Sequence, residues 1–107
     1  MLTPGPARKV SIYVGEDASR DNEPLYLVIL NYLFSHGISG ATVLKGVAGF
    51  GGTHRLHTTR ILEMSENLPV KIEFIETTAA LDALLPALLE IVGDGIVEMQ
   101  ETTILKG

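Results

Sequence analysis

The residues best suited to chemistry lie between positions 41 and 60. There an apolar run, Ala41-Thr-Val-Leu-Lys-Gly-Val-Ala-Gly-Phe-Gly-Gly-Thr-His-Arg-Leu-His57, enters a glycine-rich turn and leaves through a basic cluster. Glycine exposes backbone N–H groups, and N–H dipoles in a tight turn form a concavity for phosphate or carboxylate that Lys, Arg or protonated His reinforces. Lys45, His54, Arg55, His57 and Arg60 carry that charge. Arg55 is the best anion contact, because its planar fork pairs with phosphate in two places; the alternative is a solvated loop arginine. Gly49, Gly51 and Gly52 either bring backbone to a ligand or form a bulged hairpin end that needs unusual φ values. Phe50 either stacks on a base or plugs the core at a strand end.

A second glycine motif, Gly93-Asp94-Gly95, either closes on a phosphate or ends a helix and opens a strand, with Asp94 as a turn former. The His54 and His57 spacing would suit a metal on a helix, but without a third ligand nearby it makes a weak site, and both rings are better read as pH-responsive partners of an anion. His36 falls at a helix end, where it complements the negative pole of the helix dipole. No Ser-His-Asp order, cysteine nucleophile or P-loop is present. Glu63 with Glu66 and Glu73 with Glu76 are carboxylate pairs by spacing alone. The sequence therefore points away from an enzyme and towards a binding protein for a small anion, with no resident cofactor.

The chain of 107 residues, 46% hydrophobic, fits one domain over residues 1–107, with residues 1–7 as a flexible N-terminal tail. Without cysteine it has neither a disulfide framework nor a thiolate metal site. A net charge of −5 with eight Lys and Arg disfavours a general nucleic-acid binder. No apolar run has the length of a membrane span, and Met1 to Pro6 is short and proline-rich for a secretory signal, so a cytoplasmic protein without membrane insertion is expected.

The elements that must position these residues follow from periodicity. Arg8 to Val14 alternates, with Val10, Ile12 and Val14 on one face, and reads as a strand. Asn22 is the expected cap of a first helix that tolerates Pro24 in its first turn and runs to about His36, ended by Gly37. Its stripe is Leu25, Val28, Ile29, Tyr32 and Leu33. Leu27, Leu30 and Phe34 lie off it, for an oligomer contact or for plain core packing. The second strand takes Ala41 to about Gly51 and the third Pro69 to Glu76, while Thr58 to Met64 fits either a hairpin extension or a short helix. Thr78 is the expected cap of a second helix with Leu81, Leu84, Leu85, Leu88 and Val92 inward, kinked at Pro86. Ile96 to Leu105 forms the fourth strand. The order β-α-β-β-α-β predicts an α+β, ferredoxin-like fold, with two helices on one face of a four-stranded antiparallel sheet. Ser11, Tyr13, Lys71, Glu73 and Ile75 fall on the open face.

On this topology Lys45-Gly-Val-Ala-Gly-Phe-Gly51 resembles the turn that leads into the ligand loop of PII signalling proteins, and Val92-Gly-Asp-Gly-Ile96 resembles their phosphate-cradling loop. More closely, Tyr13-Val-Gly-Glu16, Pro24-Leu-Tyr26, Gly40 to Gly46, Gly49-Phe-Gly51, Arg55-Leu-His57 and Leu68-Pro-Val70 resemble the PII-like family known as domain of unknown function 190. The resemblance runs from about Val10 to Ile104. It implies a homotrimer with inward-facing sheets, and clefts between subunits bordered by the two glycine motifs. It further implies a signalling role in which an adenine nucleotide is the effector and the message passes to a partner protein such as a transporter or enzyme. Lys45, Gly49, Phe50, Gly51, Arg55, His57, Gly93, Asp94 and Gly95 would contact the ligand. Two positions depart from the PII pattern: Ile96-Val-Glu98 replaces a basic residue, and the loop after Gly51 is short and lacks a tyrosine.

Overall fold

The structure, a computed structural model, describes residues 2–49, 57–58 and 68–107. Ten elements follow one another: β1 (Gly5–Gly15), β2 (Ser19–Arg20), β3 (Glu23–Pro24), α1 (Leu25–Ser35), β4 (Thr42–Lys45), β5 (Ala48–Gly49), β6 (His57–Thr58), β7 (Pro69–Glu76), α2 (Thr78–Val92) and β8 (Ile96–Ile104). The main sheet is antiparallel throughout in the order β4-β7-β1-β8, and both helices cover one face, as the ferredoxin-like reading required.

The covered face is built from the alternating residues. Val10, Ile12 and Val14 of β1 and Val70, Ile72 and Phe74 of β7 are buried beneath Leu25, Ile29 and Leu33 of α1 and Leu81, Leu84, Leu88 and Val92 of α2. Each such side chain contributes roughly 1.5–3 kcal/mol on burial. The helices are tied to each other where the Tyr32 hydroxyl donates to the Leu84 carbonyl at 3.0 Å. Of the residues off the α1 stripe, Leu27 and Phe34 are exposed and Leu30 is half-buried.

The ends of α1 differ in how well they were foreseen. Gly37 stops the helix as expected: at φ 77° it lets its own N–H reach the Phe34 carbonyl and the Ile38 N–H reach the Leu33 carbonyl, the paired bonds of a Schellman motif. The start is a correction. Asn22 does not cap the helix; Pro24 occupies the N-cap position with no side-chain bond, and β2 pairs with β3 immediately before it. Asp21 and Asn22 form the two-residue connection of that hairpin, with φ values of 52° and 67°. A tight hairpin of this kind needs positive φ at both central residues, and Asp and Asn tolerate it.

Three further boundaries move. Strand β1 begins at Gly5, so Gly5 to Ala7, assigned from the sequence to a tail, are laddered to Thr102–Ile104. The cap of α2 is Thr77, whose hydroxyl accepts from the Ala80 N–H at 3.4 Å, and α2 runs through Pro86 to Val92 as one element. The second strand is divided. β4 stops at Lys45 because its next partner is Pro69, which has no N–H to continue the ladder. Gly46 donates to the Pro69 carbonyl at 2.7 Å, and the chain then leaves the main sheet to pair β5 with β6.

Candidate functional site

The turn after β4 and the turn before β8 meet the same end of the main sheet from its two edges. Lys45 pairs with Val70, Val70 with Val14, and Tyr13 with Ile96, so the ladder rows bring Lys45 level with Gly95. They are not neighbours within the subunit. Three strand spacings separate β4 from β8, about 14 Å. On the β4 edge the chain continues through Gly46 into the β5–β6 hairpin, whose register sets Gly49 opposite His57. On the β8 edge, Gly93-Asp94-Gly95 closes α2.

Two of these glycines have structural reasons for their identity. Gly93 ends α2 at φ 62°, with its N–H bonded to the Leu89 carbonyl at 3.2 Å. Gly95 passes so close to β1 that an added Cβ would lie 2.7 Å from the Tyr13 carbonyl oxygen and under 3.0 Å from methyl groups of Val92 and Val14. Around Gly93 an added Cβ would meet nothing within 4 Å. Asp94 lies in the turn, exposed.

The sequence did not single out the charged partner at this end. Lys45 Nζ lies 2.6 Å from Glu16 Oε2, the carboxylate just beyond β1. Glu16 is held in place by its own backbone, since its N–H donates to the Leu68 carbonyl at 2.8 Å and extends the β1–β7 ladder by one bond. An acidic residue directly after a strand end, two residues beyond the row of a lysine two strands away, would have been the signal, but it needs the sheet order to be read. Phe50, Gly51, Gly52, His54 and Arg55 lie outside the described residues, as do 59–67, on which the hairpin-or-helix alternative for Thr58 to Met64 mostly falls. Among the described residues no group of three or more His, Asp and Glu is placed to hold a metal ion.

The open face of the sheet carries an ionic lattice. Glu73 bonds Lys9 at 2.9 Å and Lys71 at 3.1 Å, Lys71 sits 5.8 Å from the centre of the Tyr13 ring, and the Tyr13 hydroxyl donates to Glu98 at 3.4 Å. Hydrogen bonds from Lys9 and then Lys71 hold the Glu73 carboxyl below its ordinary value, and the bond to Glu73 raises Lys71. Leu44 and Ile96 flank Lys71 and Tyr13 in one ladder row and are exposed. Glu76, by contrast, faces the helices and accepts from the Thr77 N–H at 3.0 Å, so Glu73 and Glu76 lie on opposite faces and make no carboxylate pair. His36 stacks on Tyr32 at 4.0 Å and donates from Nδ1 to the Tyr32 carbonyl at 2.8 Å, which fits its expected place at the helix end.

Comparison with known proteins agrees with this architecture. The family model for DUF190, described as Uncharacterized ACR, matches residues 7–104. A UPF0166 protein of Methanocaldococcus jannaschii is 33% identical over 102 residues, which is 94% of this chain and 94% of that protein. A UPF0166 protein of Aquifex aeolicus is 49% identical over 47 residues, covering 44% of this chain and 49% of the other. Among solved structures, CPII of Thiomonas intermedia K12, a nitrogen regulatory PII-like protein bound to ADP, AMP and bicarbonate, superimposes with a TM-score of 0.67 at 16% identity, covering 98% of this chain and 99% of that one. A PII-like signalling protein of Thermus thermophilus gives 0.68 at 15% identity, covering 96% and 93%. At such identities the structures speak for the fold, and the sequence match speaks for the family: the chain belongs to the DUF190 family and has a PII-like fold.

Proposed function

We propose that this protein is a non-catalytic cytoplasmic regulator that binds a small anionic metabolite, an adenine nucleotide, in clefts between the subunits of a homotrimer. It would relay that binding to a partner protein such as a transporter or enzyme. One observation carries the reading: the lysine with its hairpin, and the glycine turn, lie at one end of the sheet but on opposite edges. A ligand that needs both is reached by joining the β4 edge of one copy to the β8 edge of another, and closed rings of identical copies repeat such a heterologous contact. Lys45, Gly49, Phe50, Gly51, Arg55 and His57 would line one side of the cleft, and Gly93, Asp94 and Gly95 the other. The open face supports assembly through the sheet, since Leu44, Tyr13 and Ile96 leave apolar surface between paired charges. The nucleotide is favoured by the shared fold with CPII, whose structure holds ADP and AMP. Binding would shift the region between β5 and β7 towards a conformation the partner recognises.

Calorimetric titration of ligand-stripped protein with ADP, AMP, ATP and cyclic AMP, with and without magnesium, tests this reading. Saturable binding at up to one site per subunit is expected. Gly93 and Gly95 also have sufficient structural reasons of their own, and this favours a second reading, a nucleotide-insensitive interaction module. Absence of binding by every nucleotide would decide for that module.

A further inference from the structure

The geometry points to Glu16 as the residue that sets how strong an anion must be to occupy the Lys45 end of the sheet. This deepens the reading above and rests on it. Lys45 is a basic side chain of the proposed ligand set, and its ammonium is already engaged, 2.6 Å from Glu16 Oε2. The carboxylate is the better shielded partner, 23% exposed against 53% for the lysine side chain. It is also the better anchored one. Glu16 follows β1 directly and is fixed by the bond from its N–H to the Leu68 carbonyl, whereas Lys45 ends an edge strand on a flexible four-carbon stem.

An anion arriving at Lys45 therefore meets a resident carboxylate. It must displace Glu16 from the ammonium, or share the lysine and accept repulsion from a negative charge that its backbone keeps in place. A phosphate chain compensates by bringing further acceptors for backbone N–H groups, while a lone carboxylate only exchanges one monoanion for another. Glu16 thus raises the threshold for every anion and leaves weak monoanions excluded.

The test is the affinity of the full chain for ADP and for acetate, in wild type and in Glu16→Gln, which keeps shape and hydrogen bonding but removes the charge. The exposure of the pair puts the expected gain for ADP at about two- to five-fold. Acetate should bind measurably only to the variant. A charge control, Glu101→Gln at the far end of β8, should leave both affinities unchanged. A purely structural ion pair would give the opposite sign, since breaking it would loosen the site. ADP binding by wild type with no gain in Glu16→Gln overturns the inference and leaves the nucleotide reading standing. Failure of both forms to bind ADP overturns the two together, and binding by Glu16→Gln alone supports the inference in its strongest form.

Discussion

The two ends of the main sheet are closed in different ways. At the far end, side chains make the closing contacts: Arg8 Nε donates to the Thr78 hydroxyl at 3.3 Å, Arg8 approaches Glu101 at 4.0 Å, Glu76 accepts from the Thr77 N–H, and the Thr77 hydroxyl accepts from the Ala80 N–H. At the other end, the chain closes by backbone approach. Gly46 bonds Pro69, Gly95 presses on Tyr13, and Glu16 extends a ladder by one N–H. Ends sealed by side chains absorb substitutions by rearranging rotamers, whereas ends sealed by backbone have little slack. The glycine end should therefore be the more sensitive in stability and the only one sensitive in binding.

Gly95→Ala should produce the largest loss. The new methyl group would meet a carbonyl oxygen of the central strand at 2.7 Å, and that backbone cannot move without disturbing the Tyr13–Ile96 and Tyr13–Lys71 pairs. Overpacking of this kind costs about 1–3 kcal/mol, to be read from denaturant midpoints at constant slope. An unchanged midpoint would mean that the two ends do not differ in tolerance.

Thr77→Ala at the far end should cost less, about 0.5–1 kcal/mol, because the long hydroxyl bond to Ala80 is replaced by water and Glu76 still accepts from the Thr77 N–H. ADP affinity should not change. A loss of ADP affinity there would dissolve the functional contrast between the ends.

The smallest effect belongs to the open face between them. Glu73 holds its proton less tightly in the folded chain than in the unfolded one, so its stabilisation is complete above the ordinary carboxylate value of 4.5 and is lost as pH falls through the lower folded value. Lys71 mirrors it: its contribution is complete below 10.5 and is lost as pH rises through the raised folded value. Glu73→Gln should therefore flatten the acid limb of stability below pH 4.5 slightly, and the change should be smaller at high salt because the groups are only half-buried. An acid limb identical in both proteins would mean that the lattice contributes nothing.

Much of the fold was legible because the strongest signals are local. Val10, Ile12 and Val14 announce a strand by their own alternation, Pro69 to Glu76 does the same, and Gly37 stops α1 with no outside help. What stayed hidden depends on partners distant in sequence. Nothing near Gly46 says that the second strand must divide there; the reason is Pro69, its ladder neighbour. Asn22 has the chemistry of a helix cap and equally that of a tight hairpin, and the pairing of Arg20 with Glu23 decides for the hairpin. The candidate site was legible by residue type at Lys45 and at Gly93 to Gly95. Its separation across two edges, and the resident Glu16, appear only once the strand order is known.

The central claim is that one ligand site draws on two subunits, and complementation between two crippled variants tests it most directly. Lys45→Ala removes the charge on the β4 edge, and Gly93→Glu places a carboxylate in open space on the β8 edge but strains the backbone at φ 62°, so its fold is first checked by circular dichroism; each alone should lose ADP binding. The two are mixed in equal amounts, dissociated and reassembled, and titrated with ADP. Random assembly into closed rings should restore about a quarter of the sites, since each restored cleft pairs an intact lysine edge with an intact glycine turn from its neighbour. A mixture that binds no better than its components would contradict the claim, because it would put both halves of the site within one subunit.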